Sequence, residues 1–200
     1  IGITRPITKH SYLVKDVRDL SRVMRESFYI ASTGRPGVVL VDLPVDVTMA
    51  EAVFVYPDKA VIRGYHPEQP AITHDFKDEN IRRAAEAIRK SRKPIIYAGA
   101  GVIHSGASKE LIELARLARI PVTTTLLGLG AFPESDPLSL GMLGMHGFEY
   151  TNLAIAQSDI LIAIGARFDD RVTGKADDFA KGATKIHIDV DPSSINKTVV

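Results

Sequence analysis

Apolar residues recur at helical spacing between Val17 and Ala31, where Val17, Leu20, Val23, Met24, Phe28 and Ala31 would share one face. Asp16 reads as the N-cap of that helix, and Gly34 followed by Pro36 as its stop. The pattern then becomes continuous: Val38-Val39-Leu40-Val41 predicts a short buried parallel strand. Periodicity is lost over residues 51–75, where Pro57, Gly64, Pro67 and Pro70 mark a linker. From Asp78 helical spacing returns at Ile81, Ala84, Ala85 and Ile88. A strand at Ile95–Ala98 follows, then a helix through Leu111, Leu114, Ala115 and Ala118 with Ser105 or Ser108 as N-cap. Further strands are predicted at 121–125, 159–164 and 185–190, with a weaker helix over 150–157. Strands alternating with helices over short connections predict an α/β fold, a Rossmann-like doubly wound parallel sheet covered on both faces.

Composition leaves this picture intact. At 45% hydrophobic and 24% charged, the 200 residues match an ordinary globular protein. A net charge of +1 gives no field that would favour nucleic acid or an anionic membrane, and no apolar run has the length of a membrane span. The run Arg89-Lys90-Ser91-Arg92-Lys93 lies at a predicted helix C-terminus, where it complements the dipole. The absence of cysteine excludes disulfides, thiolate metal sites and a cysteine nucleophile. No signal or transit segment is visible, so a cytoplasmic location is expected. The chain opens on Ile1 inside ordered-looking sequence, which leads us to expect a segment of a longer protein.

In open α/β sheets ligands bind beyond the carboxyl ends of the strands, and those four places carry unusual residues. After the first strand comes Gly99-Ala100-Gly101, whose backbone would admit a phosphate at the next helix N-terminus. The spacing departs from GxGxxG, and a bare turn fits it equally well. After the second strand, Leu126-Leu127-Gly128-Leu129-Gly130-Ala131-Phe132-Pro133 forms a nonpolar loop that would cover a flat ring or simply turn in the core. The stretch Met142-Leu143-Gly144-Met145-His146-Gly147 sets two methionines and a histidine among glycines. His146 would alternatively cap the helix after it. The third strand runs into Gly165-Ala166-Arg167-Phe168-Asp169-Asp170-Arg171-Val172-Thr173-Gly174, with four charges in five residues. Two surface ion pairs would account for the charges locally, Arg167 with Asp169 and Asp170 with Arg171. The fourth strand ends in Asp189-Val190-Asp191, where a carboxylate would accept ribose or ribityl hydroxyls or cap the turn at Pro192.

Taken in order, Ser32-Thr33-Gly34-Arg35-Pro36-Gly37, VLVDLP, YAGAG, IPVTTTLLGLG, MLGMHG, GARFDDRVTG and HIDVD resemble the acetohydroxyacid synthase (acetolactate synthase) family across the whole chain. MLGMHG with RFDDRVTG is the specific part; the looser α/β pattern is shared with pyruvate oxidase and pyruvate decarboxylase. The resemblance implies a catalytic subunit that uses thiamine diphosphate and Mg2+ and also binds FAD. It would decarboxylate pyruvate and condense the product with pyruvate or 2-oxobutyrate, in branched-chain amino-acid biosynthesis. Residues 1–60 would end a pyrimidine-binding domain, 61–76 would link, and 77–200 would be the central FAD-binding domain, truncated at its C-terminal end. No catalytic residue is expected within the segment, whose thiamine and magnesium contacts would lie mostly outside it.

By motif, the resemblance implies FAD contacts from Arg35, Gly99, Ala100, Gly101, Thr125, Leu126, Leu143, Gly144, Met145, His146, Gly165, Ala166, Arg167, Asp169, Asp189 and Val190. Arg171 would pair with the carboxylate of the second substrate at the active-site entrance, held there by Asp170, with Met145 packed nearby. A homo-oligomer, dimer or tetramer, with a regulatory subunit is implied. One departure stands out: Pro44 is followed by Val45-Asp46 where many members have Lys-Asp, which leaves one cation fewer near the access channel. Two alternatives remain at this stage, an FAD-dependent oxidase like pyruvate oxidase and a nucleotide-binding module without catalysis.

Overall fold

The computed structural model describes residues 1–67 and 79–199, which fall in two compact units, Ile1–Ile72 and Thr73–Val200. Residues 68–76 of the predicted linker 61–76, and the predicted helix start at Asp78, lie outside the described residues.

In the first unit two parallel strands, β1 (His10–Leu13) and β2 (Val39–Asp42), pair in register from His10↔Val39 to Leu13↔Asp42. Helix α1 (Leu20–Ser32) connects them, and α2 (Val45–Met49) follows β2. Val14, Val23 and Val47 form the buried core. Asp16 does cap, but on a 3-10 turn, Val17–Asp19, where its side chain accepts the Arg18 N–H at 2.9 Å; the α-helix therefore begins three residues later than its apolar stripe. At the other end Gly34 takes φ +57 and stops the helix. Lys9 Nζ donates to the Ile30 carbonyl at 2.6 Å and satisfies a group that helix geometry leaves open. Strand β1 was not foreseen, because His10-Ser11-Tyr12-Leu13 is neither continuous nor alternating in polarity.

In the second unit, α3 (Glu79–Lys90) leads into β3 (Pro94–Ala98). Then come α4 (Ala100–His104), α5 (Ser108–Ala118), β4 (Val122–Thr124), β5 (Ser139–Met142), α6 (Glu149–Ala156), β6 (Ile160–Ile164), α7 (Asp170–Thr173) and β7 (Thr184–Ile188). The sheet order is β5-β4-β3-β6-β7 with every pair parallel. The chain thus builds outward from β3 in one direction, then returns to its other side. Successive residues of β3 and β6 face opposite core layers. Ile95, Tyr97, Leu161 and Ala163 meet Ile155 and Phe179 on one face; Ile96, Ala98, Ile160 and Ile162 meet Leu111 and Ala115 on the other. Burial on both faces explains why these strands read as unbroken apolar runs.

Strand β5 is the fifth strand that the apolar pattern missed. It is only half-buried, carries Gly141 at φ +66, and sits at the sheet edge. Neither Ser105 nor Ser108 caps α5: Ala107 occupies that position, and no side chain bonds there.

Candidate functional site

Strands β3 and β6 end side by side, with Ala98 paired to Ile164, at the place where the strand order changes direction. Such a reversal opens a crevice beyond the strand ends. Here the two loops that leave it lock together. Gly99 N–H donates to the Ile164 carbonyl at 2.9 Å and Gly101 N–H to the Gly165 carbonyl at 3.0 Å. A Cβ on Gly99 would stand 2.2 Å from the Gly165 oxygen, and one on Gly101 would stand 2.5 Å from the Gly165 Cα. Gly165 itself has φ +58 and leaves 2.6 Å to Gly101. The glycines expected to admit a phosphate therefore first admit each other. What remains open is main chain further along: among the described residues, the N–H groups of Ala100, Ala166 and Arg167 have no hydrogen-bond acceptor. Consecutive open N–H groups on a glycine-bearing loop suit an anionic oxygen.

The charged stretch is held from beneath by an aromatic plug. Tyr97, Ala163 and His187 are register partners across β3, β6 and β7, so they line up on one face just below the strand ends. Small Ala163 between two rings leaves a trough, and Phe168 fills it, 6.0 Å from Tyr97 and 5.2 Å from His187. His187 Nε2 lies 3.0 Å from the Ala166 carbonyl and 4.0 Å from Asp189 Oδ2. The Tyr97 hydroxyl is buried without a partner among the described residues. Burial, and then the Asp169 charge, push its pKa up.

The two local ion pairs expected in this stretch do not form; among the described residues no such contact joins Arg167, Asp169, Asp170 and Arg171. Asp170 is not what holds Arg171. Asp169 is: as N-cap of α7 its carboxylate accepts the Arg171 N–H at 3.0 Å. That N–H holds the Asp169 carboxyl below its ordinary range, helped by the neighbouring Asp170 side chain and then by the charges of Arg167 and Arg171. A cap satisfies one orphan donor and leaves both arginine side chains exposed and available.

The loop after β5 joins the same assembly. Gly144 has φ +95, and a Cβ there would stand 2.7 Å from the Arg171 oxygen. Met145 N–H donates to that oxygen at 2.9 Å. Asn152, on α6, clamps the loop from behind: Gly144 N–H donates to Asn152 Oδ1 at 2.8 Å, and Asn152 Nδ2 donates to the Gly144 carbonyl at 3.1 Å. Leu143 is buried and anchors the turn. His146 is exposed and caps nothing, since Phe148 takes the N-cap position of α6. After β4, Thr125 N–H donates to the Ala98 carbonyl at 2.9 Å, which brings Leu126 alongside the β3 end. At the end of β7, Asp189 is mostly buried, with Oδ1 accepting the Asp191 N–H at 2.8 Å. Asp191 caps the turn at Pro192, as its sequence context suggested.

Exposed apolar side chains collect at these strand ends: Leu126 (66%), Leu127 (73%), Met145 (64%) and Val190 (59%). Apolar side chains beside open main-chain N–H groups and a carboxylate fit a ligand with a flat ring at one end and anionic oxygens at the other. Arg35 is exposed and belongs to the other unit. Nothing in the sequence pattern marked Tyr97, Asn152, Phe168 or His187 as supports. The register that aligns Tyr97, Ala163 and His187 is the signal that would have found three of them. No group of His, Asp and Glu suited to a metal ion occurs among the described residues.

Residues 81–200 match the family described as thiamine pyrophosphate enzyme, central domain. The chain belongs to this family. It is 49% identical over 199 residues to a protein of Cyanidium caldarium named acetolactate synthase large subunit, covering 98% of this chain and 33% of that protein. It is 50% identical over 196 residues to an acetolactate synthase of Mycobacterium leprae, covering 98% and 31%. Against acetolactate synthase 1, chloroplastic, of Zea mays, identity is 48% over 200 residues, covering 98% and 30%. The chain thus spans about a third of the length of the curated relatives it matches.

Proposed function

We propose that this chain is part of an acetolactate synthase, and that its second unit supplies a Rossmann-like FAD site and part of the substrate entrance. The observation that carries the reading is near-50% identity along 98% of the chain to proteins of that name. Residues 1–60 would close a pyrimidine-binding domain, 61–76 would connect, and 77–200 would form the central domain. The parent would decarboxylate pyruvate and join the two-carbon unit to a second 2-oxo acid, as a homo-oligomer able to take a regulatory subunit.

Thiamine diphosphate with Mg2+, held by other parts of the parent, supplies the electron sink for decarboxylation. The residues of this chain bind and orient. Gly99, Ala100 and Gly101 with Gly165, Ala166 and Arg167 would face the diphosphate of FAD, which the open N–H groups of Ala100, Ala166 and Arg167 would meet. Leu126, Leu143, Gly144, Met145 and His146 would cover its ring, and Thr125, Asp169, Asp189 and Val190 would flank its hydroxyl-bearing chain. The exposed Arg171 guanidinium offers a planar fork to the carboxylate of the second substrate, beside Met145.

Arg171→Ala in the intact protein tests this reading. It should raise KM for the second 2-oxo acid by about tenfold or more, the scale of one charge-assisted pair, with FAD still bound. Unchanged carboligation by that variant would remove Arg171 from the entrance. Peroxide formed from pyruvate by the wild-type protein would point instead to a flavin oxidase.

A further inference from the structure

His187 has no assigned part in the site, yet it is placed to set the main chain that the ligand would meet. Its side chain is nearly buried, at 8% exposure, and so is that of Asp189 at 10%. Both groups around Nε2, the Ala166 carbonyl at 3.0 Å and the Asp189 carboxylate at 4.0 Å, are acceptors. Nε2 must therefore carry a proton to donate to the Ala166 carbonyl, which holds the ring in one orientation. Phe168, packed edge-on at 5.2 Å, blocks rotation of the ring.

The consequence follows from peptide geometry. All peptide bonds among the described residues are trans, so the Ala166 carbonyl and the Arg167 N–H point in opposite directions. A carbonyl drawn inward to His187 sends the Arg167 N–H outward, away from the core. That N–H is one of the three left without an acceptor. We propose that His187 is a positioning residue: it pins the Ala166–Arg167 peptide so that its N–H faces an anionic oxygen of the bound dinucleotide. The inference rests on the FAD reading above for the identity of the ligand, but not for the pinning itself.

The test uses two substitutions in the intact protein. His187→Leu keeps the bulk and removes the donor; His187→Gln places an amide N–H near the former Nε2. Amide exchange of Gly165, whose N–H is held by the Ile188 carbonyl beside this peptide, should quicken about tenfold or more in ligand-free His187→Leu and recover in His187→Gln, with exchange in β3 and β6 unchanged in both. FAD dissociation constants should follow the same order, about tenfold weaker for Leu and near wild type for Gln. A 15N spectrum of wild type should show a proton on Nε2. Loop exchange unaffected by Leu, or Gln no better than Leu, overturns the proposal. Wild-type protein that fails to bind FAD while the exchange pattern holds overturns the ligand reading and leaves the pinning.

Discussion

The main-chain N–H of Met145 donates to the carbonyl of Arg171 at 2.9 Å, so two exposed side chains from different loops share one backbone junction. Neither can be displaced without moving the other's main chain. The pair is held from one side by the Asp169 cap and from the other by Asn152.

Gly144→Ala should disturb that junction directly. Its φ of +95 disfavours a side chain, and the new Cβ would meet the Arg171 oxygen at 2.7 Å. A loss of about 1–3 kcal/mol is expected from backbone strain alone. Urea denaturation measures it, and a midpoint equal to wild type would show that the loop yields freely.

Gly99→Ala and Gly165→Ala separate two reasons for having glycine. If the glycines served only a ligand, the ligand-free protein would tolerate alanine. The contacts of 2.2 Å and 2.6 Å are with protein backbone, so stability should fall by at least about 2 kcal/mol with no ligand present. Thermal unfolding of the ligand-free variants decides between them.

Asp159 should make the second unit acid-sensitive. Its carboxylate accepts the Ser91 hydroxyl, the Arg92 N–H at 2.7 Å and the Lys93 N–H at 3.0 Å, tying the start of β6 to the turn before β3. The Ser91 hydroxyl first, and then those N–H groups, lower its pKa. A depressed folded-state pKa means stability that is present above the unfolded value of about 4 and is lost as pH falls through the folded value. Asp159→Asn should flatten the slope of stability against pH below about pH 4. An unchanged slope would assign the acid response to other carboxylates.

Ala163→Leu should evict Phe168 from its trough. Three extra carbons cannot be housed between Tyr97 and His187 while the Phe168 ring stays. Overpacking of this kind costs about 1–3 kcal/mol. Its distinctive sign would be faster amide exchange over 165–174 with β3 and β6 still protected; uniform destabilisation would refute the plug.

The strongly apolar strands β3 and β6 were plain from sequence because both of their faces are buried, and so was the helix over Val17–Ala31 apart from its first turn. Strand β1 and edge strand β5 were hidden, since pairing with a neighbour holds them more than burial does. The loops that carry the candidate site were recognisable from their glycines and charges. The partners of those charges were not. Asp169 spends its carboxylate on a main-chain N–H, a bond that depends on a single-turn helix too short to announce itself by periodicity. His187 reads as one polar residue in a strand until the register sets it beside Ala163.

The stitching beyond the strand ends has one more consequence. Gly99 N–H to Ile164, Gly165 N–H to Ile188 and Gly101 N–H to Gly165 extend the sheet's ladder into the loops. Glycine there lowers freedom, because each residue is jammed against another backbone. The floor of the crevice is thus preorganised when the chain folds, and an incoming ligand has little loop entropy left to remove. Affinity at such a floor should depend on the ligand's own flexibility more than on the protein's.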